Sequence, residues 1–378
     1  VPQMFTGSPR PTLGVEWELA LVDPATGDLV PRAEELIDTV AAQGLPVRLE
    51  KEFLANTIEI VTGVCDTAGD AVRDIRTAHR ALEEEAARMG VALWTSGSHP
   101  TTDFRTQPLS TKPHYAEILE RTQYWGKQML IWGLHVHVGV RDKERVWPII
   151  DGLMTLMPVM LAYSASSPAW MGDDTGYASN RSMLYQQLPT AGIPYAFDSW
   201  ADYESFMRDQ EASGVVSHTG SMHFDIRPAC EHGTIEVRVC DAPTTLWELS
   251  ALVAFMHCAV VYFDRLLDAG RRPPQLPYWH HVENKWRAAR YGDEALIITD
   301  ADTNEALVGD VLEEWVGRLE PVAQDLGCVE ELNLMRRLRE TRPGFARQRD
   351  LHAATGDWAA VVHATVAQLR AEIDGTER

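Results

Sequence analysis

Five stretches of the chain set Glu, Asp, His and Arg into alternating apolar sequence. LGVEWELALVD (13–23) carries Glu16 and Glu18, VRLEKEFLANTIEIVTG (47–63) carries Glu52 and Glu59, and GLHVHVGV (133–140) carries His135 and His137. MHFDIRP (222–228) offers His223, Asp225 and Arg227, and TIEVRVCD (234–241) offers Glu236 and Arg238. The period of two is that of β-strands with one face on a core. A water-facing sheet surface would account for any one of them. Such surfaces usually carry Lys, Thr, Ser and Gln, however, and these carry almost only Glu, Asp, His and Arg.

If the strands share a sheet, carboxylates at i and i+2 lie roughly 7 Å apart, and at an effective dielectric of ~20 each pair repels by about 2 kcal/mol. Bound cations and the two arginines would relieve that repulsion. Four or five carboxylates with one imidazole suit Mg²⁺ or Mn²⁺; Zn²⁺ favours Cys and His at HExxH or CxxC spacing, and neither pattern occurs. Carboxylate-held Mg²⁺ goes with a phosphate-bearing substrate, where Arg227 and Arg238 would neutralise a transferring phosphoryl group, Asp225 pairing with Arg227 or positioning substrate. There is no GxxxxGK[ST] and no GxGxxG, so a nucleotide has to bind on the sheet face itself.

The elements that must position these residues follow from periodicity. PRAEELIDTVAAQG and DTAGDAVRDIRTAHRALEEEAARMG predict helices, with 47–63 between them as one extended region. ALWTSGSHP predicts a short strand ending in a loop, whose His99 is assigned to the border of the substrate site. A helix is expected from 144 to about 166, then a long loop, 167–189, rich in turn residues; its Arg181 is of the type that clamps carboxylate or phosphate. SMHFDIRP and TIEVRVCD, separated by ACEHG, predict an antiparallel pair, and His137 is read as a hydrogen-bonded support or substrate contact. Beyond Leu246 the chain is mainly helical, with Arg287 and Arg290 three apart in KWRAARYG on a face directed at the nucleotide. Strands without a regular βαβα rhythm give an α+β class with a mainly antiparallel sheet.

The 378 residues, 45% hydrophobic, support a large core. They are read as a flexible lead-in over 1–12 and a single catalytic domain over 13–378. The runs LMTLMPVMLAY and ALVAFMHCAVVYF fall short of the ~18–20 residues a membrane span needs and predict buried helices. A net charge of −21 argues against nucleic-acid or anionic-membrane partners. Five cysteines without CxxC spacing, and no basic and apolar leader in VPQMFTGSPRPT, fit a reducing, cytoplasmic setting.

GVEWEL, TIEIVTG, GSHP, GLHVHVG, ASNRSMLYQ, DIRP, TIEVRV and ENKWRAARYG occur in an order that closely resembles the glutamate–cysteine ligase type 2 family, the carboxylate-amine ligases. The resemblance runs from Leu13 to the C-terminal helices. It implies an ATP- and Mg²⁺-dependent ligase on a glutamine-synthetase-like fold, its antiparallel sheet curved into a funnel. It implies Glu16, Glu18, Glu52, Glu59, His135 and Glu236 as metal ligands and Arg238 at the γ-phosphate. The implied reaction has ATP phosphorylate a carboxylate, such as the γ-carboxylate of glutamate, and an amine, such as cysteine, displace the phosphate. Two other readings stay open, a carboxylate-rich two-metal phosphohydrolase and a non-catalytic Mg-nucleotide binding protein; a homo-oligomer is permitted.

Overall fold

The computed structural model describes residues 5–216 and 222–373. Leu13–Val22 (β1), Val47–Lys51 (β2), Thr57–Thr62 (β3), Ala92–Trp94 (β4), Gly133–Gly139 (β5), Ile226–Ala229 (β6) and Thr234–Asp241 (β7) form one sheet in the order β6-β7-β5-β1-β3-β2. Every pairing is antiparallel. Along one edge of β1, β5 pairs with residues 13–17 and β4 takes over at 20–22. The α+β class and antiparallel sheet expected from the strand patterns are therefore present.

Alternation decides which face is dry. Val15, Trp17 and Leu19 of β1, Ile58 and Ile60 of β3, and Leu134, Val136 and Val138 of β5 are all buried in one core. Full burial of one such side chain contributes about 2 kcal/mol. Ala33–Ala41 (α1), Ala68–Arg88 (α2), Pro113–Lys127 (α3), Val146–Ser164 (α4), Asn180–Tyr185 (α5), Trp200–Ala212 (α6), Leu246–Asp268 (α7) and Tyr278–Tyr291 (α8) precede Val308–Leu326 (α9), Val329–Thr341 (α10), Gly344–Thr355 (α11) and Trp358–Ile373 (α12). α2, α4 and α7 cover the apolar face, touching β3, β7 and β5 respectively. α2 starts at a capping box in which Thr67 and Asp70 bond each other's backbone N–H groups.

Four sequence expectations change. The region 47–63 is a hairpin, so Glu52 lies in the turn just past β2 while Glu59 lies in β3. The loop 167–189 contains α5 and a two-stranded ribbon joining 169–170 to 173–174. MHFDIRP divides at Asp225: His223–Phe224 pairs in parallel with Ala191–Gly192, and only 226–229 joins β7. Residues 5–12 are docked instead of loose: Phe5 meets Trp200 edge-on at 5.4 Å, the Ser8 N–H bonds Val140 O, and Pro11 O lies 2.7 Å from His257 Nε2. Residues 1–4 lie outside the described residues. Lys143–Ser164 and Leu246–Asp268 do have the length and apolarity to cross a bilayer, but 83% and 89% of their most apolar windows are buried inside the fold.

His79 of α2 is fully buried against Trp17, and neither ring nitrogen has a hydrogen-bond partner among the described residues. Burial pushes its pKa down to about 3. Between that value and ~6.5 the unfolded chain binds a proton that the native chain does not, so this residue makes stability fall as pH falls, by about 1.4 kcal/mol per unit. His79→Leu should match wild type at pH 7.5 and exceed it by about 3 kcal/mol at pH 4.5 in urea unfolding. Parallel pH profiles for the two proteins would show that His79 is not held neutral.

Candidate active site

Register sets the ionisable residues in rows across the wet face. Glu236 of β7 stands opposite both His137 of β5 and Arg227 of β6. In the next row Glu16 of β1 faces His135, and in the third Glu18 faces Glu59 of β3, which faces Glu50 of β2. His135 Nδ1 lies 2.9 Å from Glu16 Oε2 and 3.9 Å from Glu59. His137 Nε2 lies 3.3 Å from Glu16 Oε1 and 3.8 Å from Glu236 Oε1, while its Nδ1 meets the Thr234 hydroxyl at 2.9 Å. Two trios result, Glu16–His137–Glu236 and Glu16–Glu59–His135, each with donor atoms within 4.8 Å of one another. Glu16 belongs to both.

The rows differ in charge. Burial, reinforced by Glu52, pushes Glu18 up to about 8. Burial, then Glu52 and Glu16, raises Glu59 well above the carboxylate range, and burial raises Glu52. Burial also opposes charge on Glu16 and Glu236, but the two imidazoles hold the first well below its usual value and Arg227 and Arg238 hold down the second. Burial, then Arg238, takes His135 down to about 4. His137 is buried too, yet Glu236 and Glu16 outweigh burial and raise it. His137 Nε2 makes no hydrogen bond among the described residues. Crowded carboxyl groups that resist ionising and an unbonded imidazole nitrogen directed among them fit a divalent cation of the Mg²⁺ or Mn²⁺ kind.

Glu236 is held by two arginines. Its side chain is 1% exposed, accepts from Arg227 Nε at 2.7 Å, and accepts from an Arg238 Nη. A register shift in β7 between Val237 and Cys240 interrupts the ladder beside Arg238. Beyond it Asp241 is buried and accepts from the Ser166 N–H at 2.9 Å and the Ser167 and Ser179 hydroxyls at 2.6 and 2.7 Å. Those bonds pin the segment that carries Arg181 of α5 onto the sheet.

Arg181 is 3% exposed, its Nη atoms 3.4 Å from the carbonyl oxygens of Arg238 and Val239 and its Nε without a partner among the described residues. It lies on Gly133, where a Cβ would come within 2.2 Å of Nη2. Arg181, Arg238, Glu18, Glu52 and His135 line one cavity of about 390 Å³. Its outer wall includes Tyr115 of α3, whose hydroxyl donates to Glu52 at 3.2 Å.

Three assigned residues stand elsewhere. His99 is fully buried, its Nε2 2.9 Å from Gly27 O and its Nδ1 accepting from Thr102, so it braces the turn after β1. Arg287 pairs with Glu283 and Glu305, and Arg290 stacks on Tyr177 and Tyr291 and bonds Gly176 O. Neither lines the cavity. α8 instead presents Lys285, buried and 2.7 Å from Asp225 Oδ2. Asp225 therefore pairs with Lys285 and Arg227 with Glu236; the two do not pair with each other. The signal for Lys285 was its phase with the small Ala288 and Ala289 on the buried stripe of α8.

The family described as Glutamate-cysteine ligase family 2 (GCS2) matches residues 12–368. A Corynebacterium glutamicum (strain R) protein named "Putative glutamate--cysteine ligase 2" is 59% identical over 95% of this chain and 95% of its own. A Nocardia farcinica protein named "Putative glutamate--cysteine ligase 2-2" is 50% identical over 97% of each. Among solved structures, a glutamate–cysteine ligase of Francisella tularensis, in complex with AMP, superposes with a TM-score of 0.69 at 13% identity, covering 98% of this chain and 92% of that one. A bifunctional glutathione synthetase of Pasteurella multocida gives 0.70 at 14% identity, covering 96% of this chain and 53% of that one. These two likenesses share the fold. With the match of 12–368 and relatives at 50–59% identity, the chain belongs to the glutamate–cysteine ligase family 2.

Proposed function

We propose that the protein is an ATP-dependent carboxylate-amine ligase that works through an acyl phosphate, with glutamate and cysteine the nearest named substrates. The observation that supports this most is Glu236, one buried carboxylate between two arginines and a member of one of the two cation-fitting trios. The F. tularensis structure of this fold is a complex with AMP, which supports a nucleotide as a ligand.

Glu16, Glu59, Glu236, His135 and His137 would hold divalent cations, with Glu18 and Glu52 completing the set. When bound, such cations neutralise phosphate charge. Arg238, directed into the cavity beside Glu236, meets the γ-phosphoryl group, and Arg227 fixes Glu236 in place. The substrate carboxylate oxygen attacks the γ-phosphorus as the bond to ADP breaks. The amine nitrogen then attacks the acyl carbon, and phosphate leaves with the C–O electron pair. Arg181 anchors the acid's second carboxylate, since its buried guanidinium has no carboxylate partner among the described residues. Arg181→Lys should raise KM for the acid at least tenfold and leave KM for ATP within about twofold; equal effects on both would remove Arg181 from the acid site.

ADP release with Mg²⁺, measured with glutamate alone and with a panel of amines, tests the reading. ADP formed only with acid and amine together, and an amide seen by mass spectrometry, is expected. Hydrolysis indifferent to both would favour a phosphohydrolase, and Mg·ATP binding without turnover a binding protein.

A further inference from the structure

A second cavity, of about 650 Å³, adjoins the carboxylate site and has no part in the steps above. Thr190 and Val215 belong to the walls of both cavities. The partition between them is the short parallel pair of Ala191–Gly192 with His223–Phe224, with His223 on the carboxylate side and Phe224 on the other.

The walls specify its chemistry. Tyr195, Phe206, Phe224, Tyr278 and Trp286 give the cavity aromatic surfaces, and Gln186, Gln187 and Gln210 give neutral hydrogen-bonding groups. Among the described residues that line it, Lys285 is the one Lys, Arg, Asp or Glu, and it is paired with Asp225 at 2.7 Å. Among the described residues a carboxylate here would find no unpaired cation and would lose hydration without compensation. The volume is that of a pocket for a molecule far larger than a thiol side chain. Tyr195, Tyr278 and Trp286 are 55%, 42% and 39% exposed, an aromatic surface of the kind that marks a binding site.

We infer that this cavity receives the amine substrate, and that the amine is aromatic and lacks a carboxylate. The inference rests on the ligase reading and puts an aromatic amine in place of cysteine as its second substrate. Tryptamine and L-tryptophan, which differ by one carboxylate, are the probes. By titration calorimetry tryptamine should bind at least tenfold more tightly than tryptophan, and Trp286→Ala, a change at a part-exposed position, should weaken it at least tenfold. With ATP and glutamate the wild type should form glutamyl-tryptamine, and Trp286→Ala should raise KM for tryptamine while KM for ATP and glutamate hold. Equal binding of the two probes, no tryptamine binding, or binding indifferent to Trp286→Ala overturns the inference. So does cysteine joined to glutamate with tryptamine refused, an outcome that leaves the ligase reading standing. ADP release indifferent to glutamate, with no amide from any amine, overturns the ligase reading and the acceptor role together.

Discussion

Glu236→Gln should lower kcat/KM for ATP-dependent turnover by about 10³-fold or more. The amide keeps the shape and removes the charge that two arginines share. It also takes the carboxylate partner from both Arg227 and Arg238 in a site where that carboxylate was 1% exposed. Breaking a buried pair in this way costs about 3–5 kcal/mol, so urea unfolding should show the loss alongside the assay. Glu236→Asp keeps the charge on a shorter arm and separates the two effects, retaining more stability than Gln while still losing turnover. Calorimetric titration with Mn²⁺ should show weaker binding to the Gln variant, because the trio of Glu16, His137 and Glu236 loses one anionic donor. A folded Gln variant with near-wild-type turnover would remove Glu236 from the reaction.

What the sequence made legible is what depends on local period. Glu16 and Glu18, His135 and His137, and Glu236 and Arg238 alternate with Val, Leu and Ile, and strand register alone brings them to one face. The same reasoning failed where the partner is remote. Arg287 and Arg290 are as polar as Lys285, but the phase of α8 is set by packing on α4, which turns His281, Lys285 and Ala288 inward. His99 looked like a site residue in a Gly-containing loop; its bond to Gly27 O, 72 positions away, has no sequence signal. Asp225 and Arg227 could be read as a pair or as substrate contacts, and the break at Asp225 gives each a different partner. The second cavity had no signal in any single motif, since its walls come from α5, α6, α8 and the 190–195 segment.

Arg238→Lys should be the sharper test of phosphoryl-transfer chemistry, because it keeps the positive charge. Arg238 places one arm on Glu236 and another 3.5 Å from the Tyr185 hydroxyl, and its Nε has no partner among the described residues. A planar fork can hold Glu236 and still offer a donor to the cavity; a single ammonium cannot do both. An arginine that meets the transferring group is worth about 10³–10⁵ in kcat, so kcat should fall by about 10³ with KM for ATP changed less than about fivefold. Because Arg238 and Glu236 act as one unit, Glu236→Gln combined with Arg238→Lys should lose far less than the product of the separate losses. A variant with unchanged kcat and raised KM would mean that Arg238 binds the ground state and transition state alike. Full additivity of the pair would mean that the buried contact between them has no part in catalysis.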